Sequence, residues 1–251
     1  MLRYLPHFAF MIAVTASAMA AQPKIQPGQY VRERGSGMLT IRSDAQKRLT
    51  FEIESIGGNC HTCNVSGVIS GATGYPGGWA AEGDDSKCDI SFSASGSAVV
   101  VSPINEDECR VYCGMRAGFD GMYHVPPAAC TNAGRQALRD RFLGLYRSRR
   151  FAQAADILQS LMAQCEKFMD WIEMDQVRND LALAQYHNGE IQQCLATLDA
   201  TLAARAGNEG ELKGGKNGIY LPPCDFDNYI GVAKSTWFNK ALCAKAMSRG
   251  R

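Results

Sequence analysis

Ten cysteines constrain this chain more than any other feature. They stand at Cys60, Cys63, Cys88, Cys109, Cys113, Cys130, Cys165, Cys194, Cys224 and Cys243. How they are read depends on what precedes them. The chain opens MLRYLPHFAFMIAVTASAMAAQPK. One charge (Arg3) comes before an apolar run from Phe8 to Ala16, and small residues around Ala18 and Ala20 follow. That pattern predicts a secretory signal over residues 1–21, cleaved near Ala20-Ala21. The run is shorter than the roughly 20 apolar residues of a membrane span, so a periplasmic protein is expected. An even cysteine count in an exported chain predicts disulfides, because thiols outside the cytosol are oxidised.

The motif GGNCHTCNVSG (57–67) tests that expectation. A redox C-x-x-C places its first cysteine at a helix N-terminus, where the helix lowers the thiol pKa. Here the motif runs into Asn64-Val65-Ser66-Gly67-Val68, which reads as a strand. Residues three apart on a strand face opposite sides, so Cys60 and Cys63 are each expected to pair elsewhere. Cys63 shares its parity with Val65, and Cys88 with Ile90 and Phe92. Those two inward sets predict a Cys63–Cys88 bridge. Cys109, Cys113 and Cys130 are expected to staple the last strands and the segment that follows. Cys165–Cys194 and Cys224–Cys243 are the expected bridges of the second half. The alternatives are a zinc site from Cys60, Cys63, Cys109 and Cys113, or a thiol oxidoreductase using Cys60 and Cys63. The expected cofactor is none, and no residues are assigned as metal ligands.

Two hydrophobic periods divide the rest. Leu49, Phe51 and Ile53 alternate with Thr50, Glu52 and Glu54, the period of a half-buried strand. Further strands are predicted at Gln29–Glu33, Met38–Arg42, Thr62–Ile69, Cys88–Ser93, Ala98–Ser102 and Phe119–His124. Turn signals at 35–37, 71–78, 82–86 and 95–97 separate several of them. Closely spaced strands of this kind predict a small antiparallel barrel or meander over 22–131. Beyond Pro126-Pro127 the period becomes helical, with helices predicted at 134–148, 151–168, 172–188, 190–205 and 234–248 and a long loop at 206–233. The fold class is therefore α+β in two domains, with an all-α domain of helical hairpins over 132–251.

The helical half repeats at an offset of 40: Tyr146 with Tyr186, Phe151 with Ile191, Ala154 with Cys194 and Leu158 with Leu198. The stretch LALAQYHNGEIQQCLATLDATL (181–202) resembles a tetratricopeptide repeat, with Leu181-Ala182 as the large-small pair and Gly189 as the turn glycine. Repeats of this kind stack, and their concave faces often hold peptides. The pieces GQYVRE, GMLTI, LTFEIESIG, CDISF, SGSAVVVSP and ECRVYCGMRAGFDGMY resemble, in layout, periplasmic lysozyme-inhibitor-like domains. SASGSA (93–98) is similar to a serine-glycine stretch of one such family, with Val99 where that family has an aromatic.

Charge says little: 26 basic and 25 acidic residues nearly cancel. The arginines between 135 and 150 read as a solvated helix face, and no basic-aromatic platform suggests nucleic acid. No G-x-S-x-G, H-E-x-x-H or phosphate-binding glycine loop is present, so no catalytic residue is assigned and a non-enzymatic role is expected. The partner-binding candidates are Tyr75 and Trp79, large aromatics in the glycine-rich stretch 71–85 that either pack inward or meet a partner. The resemblance implies an inhibitor or immunity protein whose partner is a peptidoglycan hydrolase or antibacterial effector. The alternative is an envelope adaptor that holds a client on its helical repeats.

Overall fold

The computed structural model describes residues 24–77, 88–215 and 217–249. The predicted signal at 1–21 and Trp79 lie outside the described residues. Within them, eight strands form a closed antiparallel barrel: β1 Gly28–Arg32, β2 Gly37–Ser43, β3 Leu49–Ile56, β4 Thr62–Ser70, β5 Thr73–Pro76, β6 Ile90–Ser95, β7 Ala98–Pro103 and β8 Gly121–His124. Each strand pairs with its sequence neighbours. The seam is short, with only Val31 opposite His124 and Arg32 opposite Tyr123 joining β1 to β8.

Strand alternation decides what fills the barrel. Leu39, Ile41, Phe51, Ile53, Val65, Ile90 and Phe92 all point inward and are buried. Phe51 and Phe92 meet at 5.0 Å between ring centres. Gly74 makes room for that pair, because a Cβ there would come within 2.4 Å of the Phe92 ring. That requirement explains β5, which the glycine-rich signals 71–78 had marked as a turn. The segment is a short strand, and it closes the gap between β4 and β6.

The excursion between β7 and β8 turns back toward the barrel end and stoppers it. It holds α1 (Glu106–Cys109) and a short 3-10 turn, Arg110–Tyr112. Gly57 permits the fit, since a Cβ there would collide with the Arg116 carbonyl at 2.1 Å.

The bridges correct the expected pairings. Cys63 and Cys88 are both buried and inward. But β5 separates β4, which carries Cys63, from β6, which follows Cys88, and strands two spacings apart lie about 10 Å from each other, beyond the roughly 7 Å a disulfide spans. Each instead bonds to the stopper, giving Cys63–Cys113 and Cys88–Cys109. In place of Cys165–Cys194 and Cys224–Cys243 are Cys130–Cys165, Cys194–Cys243 and Cys60–Cys224. All ten cysteines are bonded.

The second lobe is helical: α2 Asn132–Arg147, α3 Phe151–Cys165, α4 Trp171–His187, α5 Ile191–Asp199, α6 Leu202–Ala206, α7 Glu209–Leu212 and α8 Pro223–Arg249. Thr131, Asp170 and Thr201 cap α2, α4 and α6 through their side-chain oxygens, which satisfies amide groups a helix start leaves unpaired. The loop expected at 206–233 is shorter, because α7 and the first part of α8 occupy much of it. Proline at the first position of α8 suits a helix start.

The internal repeat has a backbone counterpart. In the α2–α3 turn, Arg149 N donates to Tyr146 O and Arg150 N to Leu145 O; in the α4–α5 turn, Gly189 N donates to Tyr186 O and Glu190 N to Gln185 O. Arg149 and Gly189 both take positive φ, 58° and 82°.

Candidate functional site

Three surfaces rise from this framework. The first is the stopper at the barrel end. A chain that folds back into a barrel mouth must leave some side chains outward, and here they are large and apolar. Val111 and Met115 are 77% and 83% exposed, and Ile104 at the start of the same excursion is 55% exposed. The two stopper bridges fix the backbone under them, with Cys109 buried beside Cys88. A hollow of about 270 Å³ lies beside Met115, lined in part by Glu106, Arg110 and Phe119. Fixed apolar groups of this kind lose little entropy on contact with another surface.

The second surface is the groove between α4 and α8, about 570 Å³. Its floor is a buried amide ladder. Asn179 donates to Thr236 Oγ1 at 2.8 Å, and Asn239 donates to Asn179 Oδ1 at 3.1 Å. Phe238 stands on its rim, 70% exposed, near Lys234 and Ser235. At the α2 side, Arg139 donates to Gln176 Oε1 at 3.0 Å and to Asp180 Oδ2 at 3.1 Å. Burial raises the pKa of Asp180, and the Arg139 guanidinium opposes that shift.

The third is an open cleft of about 820 Å³ between the outer face of the barrel and the start of α2. Val31, Met38 and Ile56 line the barrel side, and Asn132, Arg135 and Phe168 the helical side. Arg135 is spoken for: it donates to Glu173 Oε1 at 2.8 Å, to the Cys130 carbonyl and to Asn132 Oδ1. The lobes meet at several places around it, among them two turns of the barrel and the contact of His124 with Phe168. The β1–β2 turn packs on 168–170, where a Cβ on Gly35 would meet Asp170 N at 2.6 Å. The β3–β4 turn meets the start of α8, where Cys60 bonds to Cys224.

The residues singled out from sequence, and two histidines besides them, are scattered among these features. Tyr75 lies on β5 opposite Val68 and is 39% exposed, so it projects from the barrel wall rather than from a loop. Trp79 is outside the described residues. His187 stacks on Phe151 at 4.8 Å within a ring cluster with Tyr146 and Tyr186. His124 contacts Glu33 Oε1 through Nε2 at 2.9 Å and packs edge-on against Phe168. Cys60 and Cys63 bond to different partners, so they form no dithiol couple with each other. Val111, Met115 and Phe238 were missed. Their spacing carries no signal, and an apolar residue in a turn or helix reads as core until the packing is known.

Among the described residues, no group of three or more His, Cys, Asp or Glu side chains is placed to hold a metal ion. No helix there is long and apolar enough to cross a membrane. Comparison with protein-family models, curated proteins and solved structures finds no match for this chain.

Proposed function

We propose that this chain is an exported binding protein that acts by contact, an inhibitor or immunity protein in the periplasm that blocks a peptidoglycan hydrolase or a comparable antibacterial effector. One observation carries the reading: Ile104, Val111 and Met115 project into solvent from a stopper that two disulfides hold still. Water-facing methionine and valine on a rigid segment gain free energy when a partner's cleft dehydrates them, at about 25 cal/mol per Å² of apolar area. Tyr75 on the barrel wall is a further aromatic contact.

The test is inhibition of a panel of muramidases and peptidoglycan amidases by the oxidised full-length protein, compared with Val111→Asp and Met115→Asp. Loss of about 100-fold or more in potency, roughly 2.7 kcal/mol, is expected for the double variant, with an unchanged far-ultraviolet spectrum. Undiminished inhibition by the double variant would remove the stopper from the interface. Failure to inhibit any member of the panel would count against the whole reading.

A second reading rests on the α4–α8 groove. Phe238 on its rim and the amide ladder at its base suit an extended client peptide, which would make the protein an envelope adaptor. Binding lost in Phe238→Asp and retained in the stopper double variant would favour it.

A further inference from the structure

We infer that the Cys60–Cys224 bridge is a thiol-exchange site, opened by a dithiol reductant, and that opening it unlatches the two lobes. The five bridges differ in access. In Cys88–Cys109, Cys130–Cys165 and Cys194–Cys243 both cysteines are buried, and in Cys63–Cys113 the first is. Cys60–Cys224 alone has both its cysteines partly exposed. Exchange needs a thiolate to reach a sulfur, so access selects this bridge.

The surroundings then select a direction of attack. Cys224 is the second residue of the 27-residue α8, where the positive helix end stabilises a thiolate. The exposed amide of Asn228, one turn on, points Nδ2 at both sulfurs, 3.2 Å from Cys60 Sγ and 3.7 Å from Cys224 Sγ. The helix end acts on Cys224 alone and makes it the better leaving group, although Asn228 lies nearer Cys60, so the incoming thiolate attacks Cys60. One S–S bond forms between the reductant and Cys60 while the Cys60–Cys224 bond breaks, and Cys224 departs as a thiolate that takes up a proton. The second thiol of the reductant then attacks its own mixed disulfide and releases Cys60. The reductant leaves oxidised to a disulfide, and its two protons remain on Cys60 and Cys224.

The bridge spans 164 residues and joins the barrel to α8. Without it, that junction loses its covalent tie and is left with weaker contacts such as the two hydrogen bonds between Asn59 and the start of α8.

The experiment titrates the oxidised full chain with dithiothreitol, and separately with a thioredoxin-like dithiol protein, under native conditions. Free thiols are alkylated and mapped by mass spectrometry. Cys60 and Cys224 are expected to label together at least 10-fold faster than any other pair. Prior labelling of another pair, or simultaneous labelling of all ten cysteines on unfolding, would overturn the assignment. Asn228→Ala is expected to slow labelling by threefold or more, and an unchanged rate removes Asn228 from the site. Protease cleavage between 125 and 131 is expected to accelerate after selective reduction; cleavage at the unreduced rate would refute the latch.

Discussion

Asn59 of the barrel completes the start of α8 across the gap between the lobes, and Asp225 answers it. Asn59 Oδ1 accepts from Cys224 N at 3.0 Å, while Asn59 N donates to Asp225 Oδ2 at 2.8 Å. The arrangement is a reciprocal capping box whose cap residue comes from another part of the chain. Pro222, which precedes the helix, offers no side-chain acceptor, so the cap must arrive from outside. Asn59 holds φ 57°, a conformation asparagine tolerates better than most residues.

Asn59→Gly therefore keeps the backbone while deleting the side-chain hydrogen bond to Cys224 N, a loss expected to cost about 1 kcal/mol. In a double-mutant cycle, Asn59→Gly and Asp225→Ala should couple by about 0.5 kcal/mol or more. Urea unfolding of the oxidised protein measures both. Strict additivity of the two would mean that the capping is incidental to stability.

The two hairpin turns of the helical lobe supply a second prediction. Arg149 holds φ 58° where the second copy has Gly189 at 82°. A side chain in that region is disfavoured by about 1 kcal/mol, and nothing in the turn requires arginine. Arg149→Gly is expected to stabilise the protein by roughly 0.5 kcal/mol, after allowing for glycine's greater unfolded entropy. Gly189→Ala should destabilise it by about 1 kcal/mol. Paired thermal melts read both signs; a destabilised Arg149→Gly would mean the turn is not strained.

That pair also marks what the sequence made legible. Local periodicity is written residue by residue, so alternation at 49–54 identified β3 and the offset of 40 identified the repeated hairpins. Gly189 announced its turn, whereas Arg149 gave no such sign. β5 was hidden because Gly74 is there to admit Phe51 and Phe92, a demand set by side chains on two other strands. The cysteine partners were hidden for a related reason. Inward parity placed Cys63 and Cys88 correctly, but which sulfur they meet depends on the stopper entering the barrel. Cys60 lies in a turn with positive φ at both Asn59 and Cys60, so its partner follows from lobe docking and not from strand parity. The stopper's exposed apolar side chains were unreadable because exposure is a property of the fold.

Tyr229 is the hinge of a buried polar network in the helical lobe. Its hydroxyl donates to Asp175 Oδ2 at 2.7 Å and accepts from Ala203 N at 2.8 Å. Asp175 Oδ2 also accepts from Leu202 N at 2.8 Å, so together they hold the start of α6. Burial, reinforced by the hydrogen bond to Asp175 and its nearby charge, raises the pKa of the phenol, which keeps the donor in place. Tyr229→Phe leaves a buried amide without its acceptor, at a cost of about 1–3 kcal/mol. Hydrogen exchange should locate the loss at 202–206. Protection there equal to wild type would show that water or a neighbour replaces the hydroxyl.

Asp180 makes a prediction about pH whose sign is opposite to that of most paired carboxylates. Burial raises its folded-state pKa above the ordinary aspartate value, with the charge and hydrogen bond of Arg139 only partly compensating. The folded chain thus holds this proton more tightly than the unfolded chain does. Linkage then requires that its contribution favour folding below about pH 4 and be lost as pH rises through the raised pKa. Asp180→Asn retains an oxygen acceptor for Arg139 and cannot ionise. The stability of the variant relative to wild type is expected to climb from about pH 4 upward and then level off. Denaturant titrations at half-unit steps between pH 3 and 7 measure the difference directly. A relative stability that falls with rising pH over this range would mean that Arg139 outweighs burial, and that Asp180 is an ordinary stabilising ion-pair partner in the groove.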